Sequence, residues 1–198
     1  MSKTDPAASK KARNKTIRWV VTIFLVTIVI SGTISFISDE VMSESGILTA
    51  FLILFAIILI GIIFDIIGMA VATADEKPFH SMAARKVMGA QASIRLLRNA
   101  ERVSSICNDV VGDICGVVSG SASATIAAQI LQKSEFGWPQ MISLLMSALC
   151  AGLTVGGKAI GKTYAVSSAT EIVHAVGKLI FWLEHFFVPF RSKKKNKR

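Results

Sequence analysis

The chain has 198 residues, 52% of them hydrophobic, and its mean hydropathy of +0.57 is high for a water-soluble domain. Its formal net charge is +9, but the basic residues are clustered: six precede Val20, six lie between Asp75 and Arg102, and six follow Pro189. This is the positive-inside distribution of a membrane protein, so it excludes the need for a nucleic-acid partner. We expect a multi-pass cell-membrane protein with cytoplasmic N- and C-termini.

The residue types that most often carry chemistry are sparse and scattered. The cysteines lie inside apolar stretches without metal-type spacing, which is typical of buried small side chains rather than of a disulfide or zinc framework. The histidines fall in segments expected at the inner membrane surface, and no nucleophile is paired with a base. We therefore expect no enzyme. The residues concerned are Cys107, Cys115, Cys150, His80, His174 and His185.

The N-terminal region divides into three parts. Residues 1–16 are polar and basic without apolar periodicity, which predicts a disordered cytoplasmic tail. Residues 17–38 form an apolar run and predict a transmembrane helix; a cleaved secretory signal is the alternative. The run is about a full span long and no A-x-A pattern follows, which favours the uncleaved helix. Residues 39–46 carry acids and no Lys or Arg, so they are expected outside.

The strongest predicted span covers residues 47–74. A single charge interrupts it, Asp65, in the half expected to be nearer the cytoplasm. Gly61, Gly68 and Ala72 lie on the same helical face as Asp65, so this face is predicted to pack against another helix.

A basic connector, residues 75–102, follows this span and is predicted to be cytoplasmic. Its apolar positions indicate short amphipathic helices along the inner surface. Asn99, near its end, is a plausible N-cap for the next span.

Residues 103–131 are long enough to cross a bilayer, although they include acidic and small residues. On a helical wheel they separate into a small or polar face and an apolar face. The small face predicts close packing against a partner helix. It contains Ser105, Asn108, Asp109, Gly112, Asp113, Gly116, Gly120 and Ala124, and the apolar face contains Ile106, Val110, Ile114, Val117 and Val118.

The remaining elements return the chain to the inner surface. Residues 138–158 predict a third core span, with Gly156 and Gly157 loosening its inner end. Residues 168–187 have an apolar face at helical spacing and predict an amphipathic juxtamembrane helix. Residues 190–198 form a polybasic tail suited to anionic lipids at the inner surface.

The acids inside the predicted spans are the candidates for function, since intramembrane ionisable residues are functional by default. Asp65, Asp109, Asp113 and Asn108 are predicted to form an oxygen-rich site for a hard cation such as Mg²⁺. Asp109 and Asp113 are four residues apart, so both can point into one cavity. The alternative is a structural ion pair with Lys158, for which Asp65 and Asp113 are the first expected partners.

From about Leu48 to Pro189 the chain resembles the transmembrane domain of the CNNM/CorB/CorC magnesium transporters. The helix-end signature of that family, Gly-Glu-x-x-Pro-Lys, is similar to residues 157–162, and its Asn-rich signature, Gly-Asn-Asn-x-x-Asn, is similar to residues 108–113. Its first-helix Ser-Gly-Ser-Glu region is similar to residues 65–68. The connector entering its second helix resembles residues 96–102.

The resemblance implies a three-helix core with a connector, a belt-like juxtamembrane helix and a homodimeric assembly. To these the chain adds an N-terminal helix, so the expected fold is an all-α integral membrane protein. The chain also departs from the family pattern: Lys158 stands where the family has an acidic residue, and Gly161 where it has Pro. We expect no CBS pair of the kind that commonly follows this domain.

Two functions follow as hypotheses. The first is a divalent-cation transporter for Mg²⁺, in which the metal is the transported ion. The second is a transport-inactive scaffold or regulator of the same fold, in which Lys158 occupies the position of the cation.

Overall fold

The computed structural model describes residues 6–133 and 138–187, and these residues are almost entirely helical and contain no strand. The described segments between helices are short. In chain order the elements are α1 (Pro6–Glu44), α2 (Ile47–Thr73), α3 (Lys77–Ala84), α4 (Ala90–Leu97), α5 (Ala100–Ser105), a π-helical turn (Ile106–Val111), α6 (Gly112–Lys133), α7 (Pro139–Ser167) and α8 (Ala169–Phe187).

Four stretches of the described chain are long and apolar enough to cross a membrane. The 27 residues of α2, for example, extend for about 40 Å at 1.5 Å per residue. The prediction of an all-α, multi-pass membrane protein is confirmed. The four stretches are Ile17–Met42, Ile47–Thr73, Ala100–Gln132 and Pro139–Ser167.

Helix α6 is at the centre of the bundle, since it packs against α1, α2 and α7, while α2 also packs against α7. At one end, here called the hairpin end, α1 passes into α2 through residues 45–46. At the other, the connector end, α3, α4 and α8 gather around the end of α2. Each end has its own buried apolar cluster. Met42, Leu54, Ile126 and Met146 belong to the first cluster, and Val71, Phe79, Ala165 and Val173 to the second.

The packing face predicted on α2 is present. Its buried positions recur at intervals of three and four residues, as expected when one stripe of a helix faces its neighbours. Gly61, Asp65 and Gly68 belong to this stripe, as predicted, but Ala72 is exposed. At the connector end Val71 is buried instead, against the cluster around Phe79.

The N-terminal helix is longer than predicted at both ends. Residues 6–16, expected to be disordered, form the first turns of α1, and residues 1–5 lie outside the described part of the chain. Pro at a first helical position and the Ala, Lys and Arg that follow are compatible with a helix. The acidic segment expected as an external loop is largely helical too, because α1 continues to Glu44 and places Met42 in the core.

The division of this span into a small packing face and an apolar face holds for Gly112, which is buried, but is wrong for several other positions. Ile114 and Val118, assigned to the apolar outer face, are buried, whereas Asp113, Gly120 and Ala124 are exposed. The physical reason is the central position of α6: a helix with neighbours on three sides has no single packing face.

The connector contains the predicted short helices, α3 and α4, and α8 packs against α4. Gly89, at the start of α4, has a φ of 86° and lies against the backbone of Gly177 and Lys178. A side chain at Gly89 would be strained and would collide with α8, so glycine is required at this contact. Ser93 strengthens the contact by donating a hydrogen bond to the carbonyl oxygen of Val173 at 3.1 Å.

Asn99 occupies the predicted N-cap position of α5, but its side chain does not cap the helix. It donates instead to the carbonyl oxygen of Arg95 at 2.9 Å. Helix α7 does not loosen at Gly157 and continues to Ser167. The polybasic tail, residues 190–198, lies outside the described residues.

Candidate functional site

Asp65 is the most deeply buried charged residue among the described ones, with 4% of its surface exposed. It lies on the packing face of α2 and is accompanied by two lysines of α7. Lys158 Nζ is 3.8 Å from Asp65 Oδ1, and Lys162 Nζ is 3.9 Å from Asp65 Oδ2. The Lys158–Asp65 pair expected from the sequence is therefore present in the structure.

Lys162 is the site residue that the sequence analysis missed. It follows Lys158 by four residues, so both side chains leave the same face of α7. That spacing was a usable signal, but it was obscured because the third span was expected to end at about residue 158.

Glycines bring the two lysines close to α2. A Cβ atom at Gly161 would lie 2.8 Å from Ile66 Cγ1, and one at Gly157 would collide with Ile62. Close helix approach through small residues is the usual means of association in a bilayer. Lys158 also lies over α6, because its Nζ would be 3.1 Å from a Cβ at Gly112. Lys158 is thus enclosed between α2 and α6, and 22% of its side chain remains exposed.

Asn108 lies in the π-helical turn and packs directly against Gly68, one helical turn from Asp65 along α2. Its Nδ2 donates a hydrogen bond to Ser104 Oγ at 3.2 Å. Asn108 Oδ1 and Asp65 Oδ2 are buried, and neither has a hydrogen-bond partner among the described residues. Buried acceptors without partners are unusual in folded proteins, and π turns occur frequently at functional sites.

Asp109 and Asp113 are on a different side of α6. Both are exposed and line a groove between α6 and α1, together with Trp19. Ser105 Oγ donates a hydrogen bond to Asp109 Oδ2 at 2.9 Å. Their spacing of four residues does place them together, as predicted, but toward α1.

The structure therefore corrects the predicted cation site, because it does not bring the three acids into one cavity. Asn108 lies next to the packing face of α2, whereas Asp109, one residue later, faces α1. The two side chains therefore lie on different sides of the π turn. In the described chain, no three His, Cys, Asp or Glu side chains form a group that could hold a metal ion. Around Asp65 there is one carboxylate and two ammonium groups, a formal charge of +1.

At 3.8 and 3.9 Å, the two contacts of Asp65 are ion pairs longer than a hydrogen bond. Asp65 Oδ2 therefore has no hydrogen-bond donor among the described residues. Carboxylate and amide oxygens suit hard cations, and Mg²⁺ commonly binds one or two carboxylates while keeping several waters. Asp65 and Asn108 together present two buried oxygen atoms of the kind that hard cations prefer. The site does not provide the concentrated negative charge expected from the sequence.

Comparison of the chain with known protein families, with curated proteins and with solved structures gives no match.

Proposed function

We propose that this membrane protein transports a divalent cation, Mg²⁺ in the first place, through an exchange site at Asp65. The single observation that carries the proposal is the buried Asp65 carboxylate within a membrane span, contacted by Lys158 and Lys162 at ion-pair distance only. The resemblance of residues 65–68, 108–113 and 157–162 to the CNNM/CorB/CorC signatures supports the same function, since these segments adjoin one another around Asp65.

In the proposed mechanism the lysines act as movable counter-charges. They balance Asp65 while no ion is present, because an unpaired carboxylate in a membrane span is costly. An entering cation replaces the lysines at the Asp65 carboxylate. The side-chain amide oxygen of Asn108, Oδ1, which lies about one turn of α2 away, supplies a second oxygen ligand. Lys162, half exposed, swings away most easily, whereas Lys158 is held over Gly112.

The test is Mg²⁺ uptake into proteoliposomes that contain the purified chain and an internal Mg²⁺ indicator. We expect uptake by the parent and its loss in Asp65→Asn, which keeps the side-chain shape but removes the charge. Asp75→Asn, at an exposed carboxylate between α2 and α3, is the matched control and should transport as the parent does. Equal uptake by Asp65→Asn and the parent would contradict the proposal.

A second candidate is favoured by the charge of +1 around Asp65, which opposes a divalent ion. In this function the protein is a transport-inactive scaffold or regulator, and Lys158 permanently occupies the cation position. The parent would then show no uptake in the same assay. Lys158→Met, which removes one of the two ammonium groups, would gain Mg²⁺ binding that the parent lacks.

The orientation in the membrane is part of the proposal. Clusters of Lys and Arg before Val20, in the connector and after Pro189 support cytoplasmic termini and contact with anionic lipids at the inner surface of the cell membrane. Cysteines introduced at Ser45 and at Ser81 should react differently with an impermeant thiol reagent on intact cells. Labelling of Ser81→Cys from outside would reverse the orientation.

We also propose a homodimer. Small and weakly polar side chains of α7 remain exposed along one side, including Ser143, Ser147 and Ala151, and such surfaces support helix association in bilayers. Mass measurement in mild detergent, corrected for bound detergent, should give two copies of the chain. A monomer in both detergent and nanodiscs would contradict this assembly.

A further inference from the structure

The second half of α8 presents apolar side chains on the face that is turned away from the protein. Helix α8 packs against α2 and α4, and in its described part the buried residues are confined to the first half, where Val173 and Gly177 lie. After Lys178 the large apolar side chains are exposed, and the rings of Trp182 and Phe186 stack with centroids 5.6 Å apart. The exposed apolar residues of this half are Leu179, Phe181, Trp182, Leu183 and Phe186. A continuous apolar surface of this kind marks an interaction site.

The turn between α3 and α4 adds cations and another apolar side chain beside this face. Gly89, at the end of the turn, lies against the backbone of Lys178, so the turn contacts α8 where its exposed half begins. Arg85 and Lys86 are exposed in the same turn, and Met88 is 62% exposed. The turn and the second half of α8 therefore form one surface, here called the connector surface, that combines cations with apolar groups.

The connector surface lies where two candidate membrane spans end. Helix α2 ends at Thr73 and α7 at Ser167, and α8 begins at Ala169, which packs in the same buried cluster as the last turns of α2. The surface is therefore at the level of the lipid headgroups. Aromatic side chains are enriched at this level in membrane proteins, and basic ones on its cytoplasmic side.

Positive charge predominates on the connector surface. Arg85, Lys86 and Lys178 are cationic, whereas Glu184, an acid of α8, is already paired with an arginine of α4. Glu171, the other acid of α8, lies about two helical turns before Lys178. The sequence after α8 adds six further Lys and Arg residues. An anionic partner is therefore the complementary one.

We propose that the connector surface docks onto the headgroup layer of an anionic phospholipid bilayer. The exposed apolar side chains of α8 and Met88 enter the interfacial layer, and the three cations contact lipid phosphates. A second copy of the chain fits this surface less well, because it would present the same cations. The proposal rests on the contact with anionic lipid that is part of the proposed function, names the residues that make it, and does not depend on transport of Mg²⁺.

The experiment uses the full-length chain in phosphatidylcholine nanodiscs, with Trp182 as the only tryptophan after Trp19→Phe and Trp138→Phe. Brominated phosphatidylcholine or brominated phosphatidylglycerol is included at the same low mole fraction, and quenching of the Trp182 fluorescence is measured. We expect both lipids to quench Trp182. The brominated phosphatidylglycerol should quench at least about twofold more strongly, because basic residues enrich anionic lipid around them. Aqueous iodide should quench Trp182 more weakly than either brominated lipid.

Variants of the three cations test their role. Arg85→Gln/Lys86→Gln/Lys178→Gln should abolish the difference between the two brominated lipids while leaving quenching by brominated phosphatidylcholine unchanged. All three positions are exposed, and Lys178→Gln alone is measured if the triple variant does not fold. The matched control has Trp138 as its only tryptophan. This residue is 72% exposed and precedes α7 at the hairpin end, so the two lipids should quench it equally.

The proposal is overturned if the two brominated lipids quench Trp182 equally, or if the cation variant keeps the difference between them. It is also overturned if iodide quenches Trp182 more strongly than the lipids, which places the face in water. Protection of Trp182 from iodide and from both lipids would mean that a protein surface covers the face, and this too overturns it. Both leaflets of the nanodisc have the same composition and Mg²⁺ uptake is not measured, so this proposal and the proposed transport fail separately.

Discussion

Two acidic regions of this protein contain the same residue type in neighbouring spans, yet they differ in almost every physical respect. At Asp65 the carboxylate is buried between tightly packed helices and has two lysine partners. In the groove beside α1, Asp109 and Asp113 are exposed, and the described residues that line the groove include no basic side chain. One region is an enclosed carboxylate with cationic partners, and the other is an open pair of carboxylates.

The difference teaches that the packing of neighbouring helices, more than the acids themselves, determines the chemistry of an intramembrane carboxylate. Glycines of α7 allow Lys158 and Lys162 to approach Asp65, whereas the large side chains of α1 leave a groove in front of Asp113. Charge removal should therefore affect stability much more in the first region than in the second.

The first prediction removes both counter-charges of Asp65. Lys158→Met/Lys162→Met leaves a buried carboxylate without a cation, and breaking buried pairs by removing one partner costs about 3–5 kcal/mol. Because Lys162 is 49% exposed, we expect the lower end of this range, about 3 kcal/mol, with most of the loss due to Lys158. Thermal unfolding in detergent measures the effect. Adding Asp65→Leu to the double variant should restore much of the stability.

An unchanged melting temperature in the double variant would mean that the lysines extend to the membrane surface and do not stabilise Asp65. The comparison between the two acidic regions would then fail, since neither would depend on a counter-charge within the protein.

The second prediction concerns the tight packing near Asp65. Gly68→Ala places a methyl group against the side chain of Asn108, so one of the two must move. Overpacking of this kind typically costs 1–3 kcal/mol, and we expect about 2 kcal/mol. Gly120→Ala is the matched control, because a Cβ at Gly120 of α6 meets open space and should change stability by less than about 0.5 kcal/mol. Equal effects of the two substitutions on thermal unfolding would show that the α2 face is not tightly packed.

The third prediction tests the open region and has the smallest expected effect. Asp113→Asn should change the free energy of unfolding by no more than about 0.5 kcal/mol, because the side chain is exposed and no described residue forms an ion pair with it. Chemical or thermal unfolding compared with the parent measures it. A loss of several kcal/mol would mean that Asp113 is a structural residue and that the two acidic regions do not differ in this respect.

Much of the fold was predictable from the sequence because long apolar runs report membrane spans directly. The all-α class, the spans, the short connector helices and the packing face of α2 at Gly61, Asp65 and Gly68 all followed from hydropathy and periodicity. Helix ends were less predictable. The N-terminal extension of α1 contains Ala, Lys and Arg, which favour a helix without forming an apolar run, so hydropathy does not detect it.

The site was predictable only in part, since a helical wheel shows which residues share a face but not which neighbour that face meets. The pairing of Lys158 with Asp65, one of two expected partners, followed from the small number of intramembrane acids available to this lysine. The predicted convergence of Asp65 with Asp109 and Asp113 was wrong, because the sequence does not show that α6 has α1 on one side and α2 on another. The π turn at Ile106–Val111 is not indicated by hydropathy or by helical periodicity.

The most direct test of the account is the Mg²⁺ dependence of the melting temperature in three proteins: the parent, Asp65→Asn and Asp109→Asn/Asp113→Asn. A ligand that binds only the folded state stabilises it by about 2.7 kcal/mol at one hundred times its dissociation constant. We predict that the parent and the groove variant are stabilised equally by Mg²⁺ and that Asp65→Asn is not. Stabilisation that persists in Asp65→Asn but disappears in the groove variant would contradict the assignment of the cation site to Asp65.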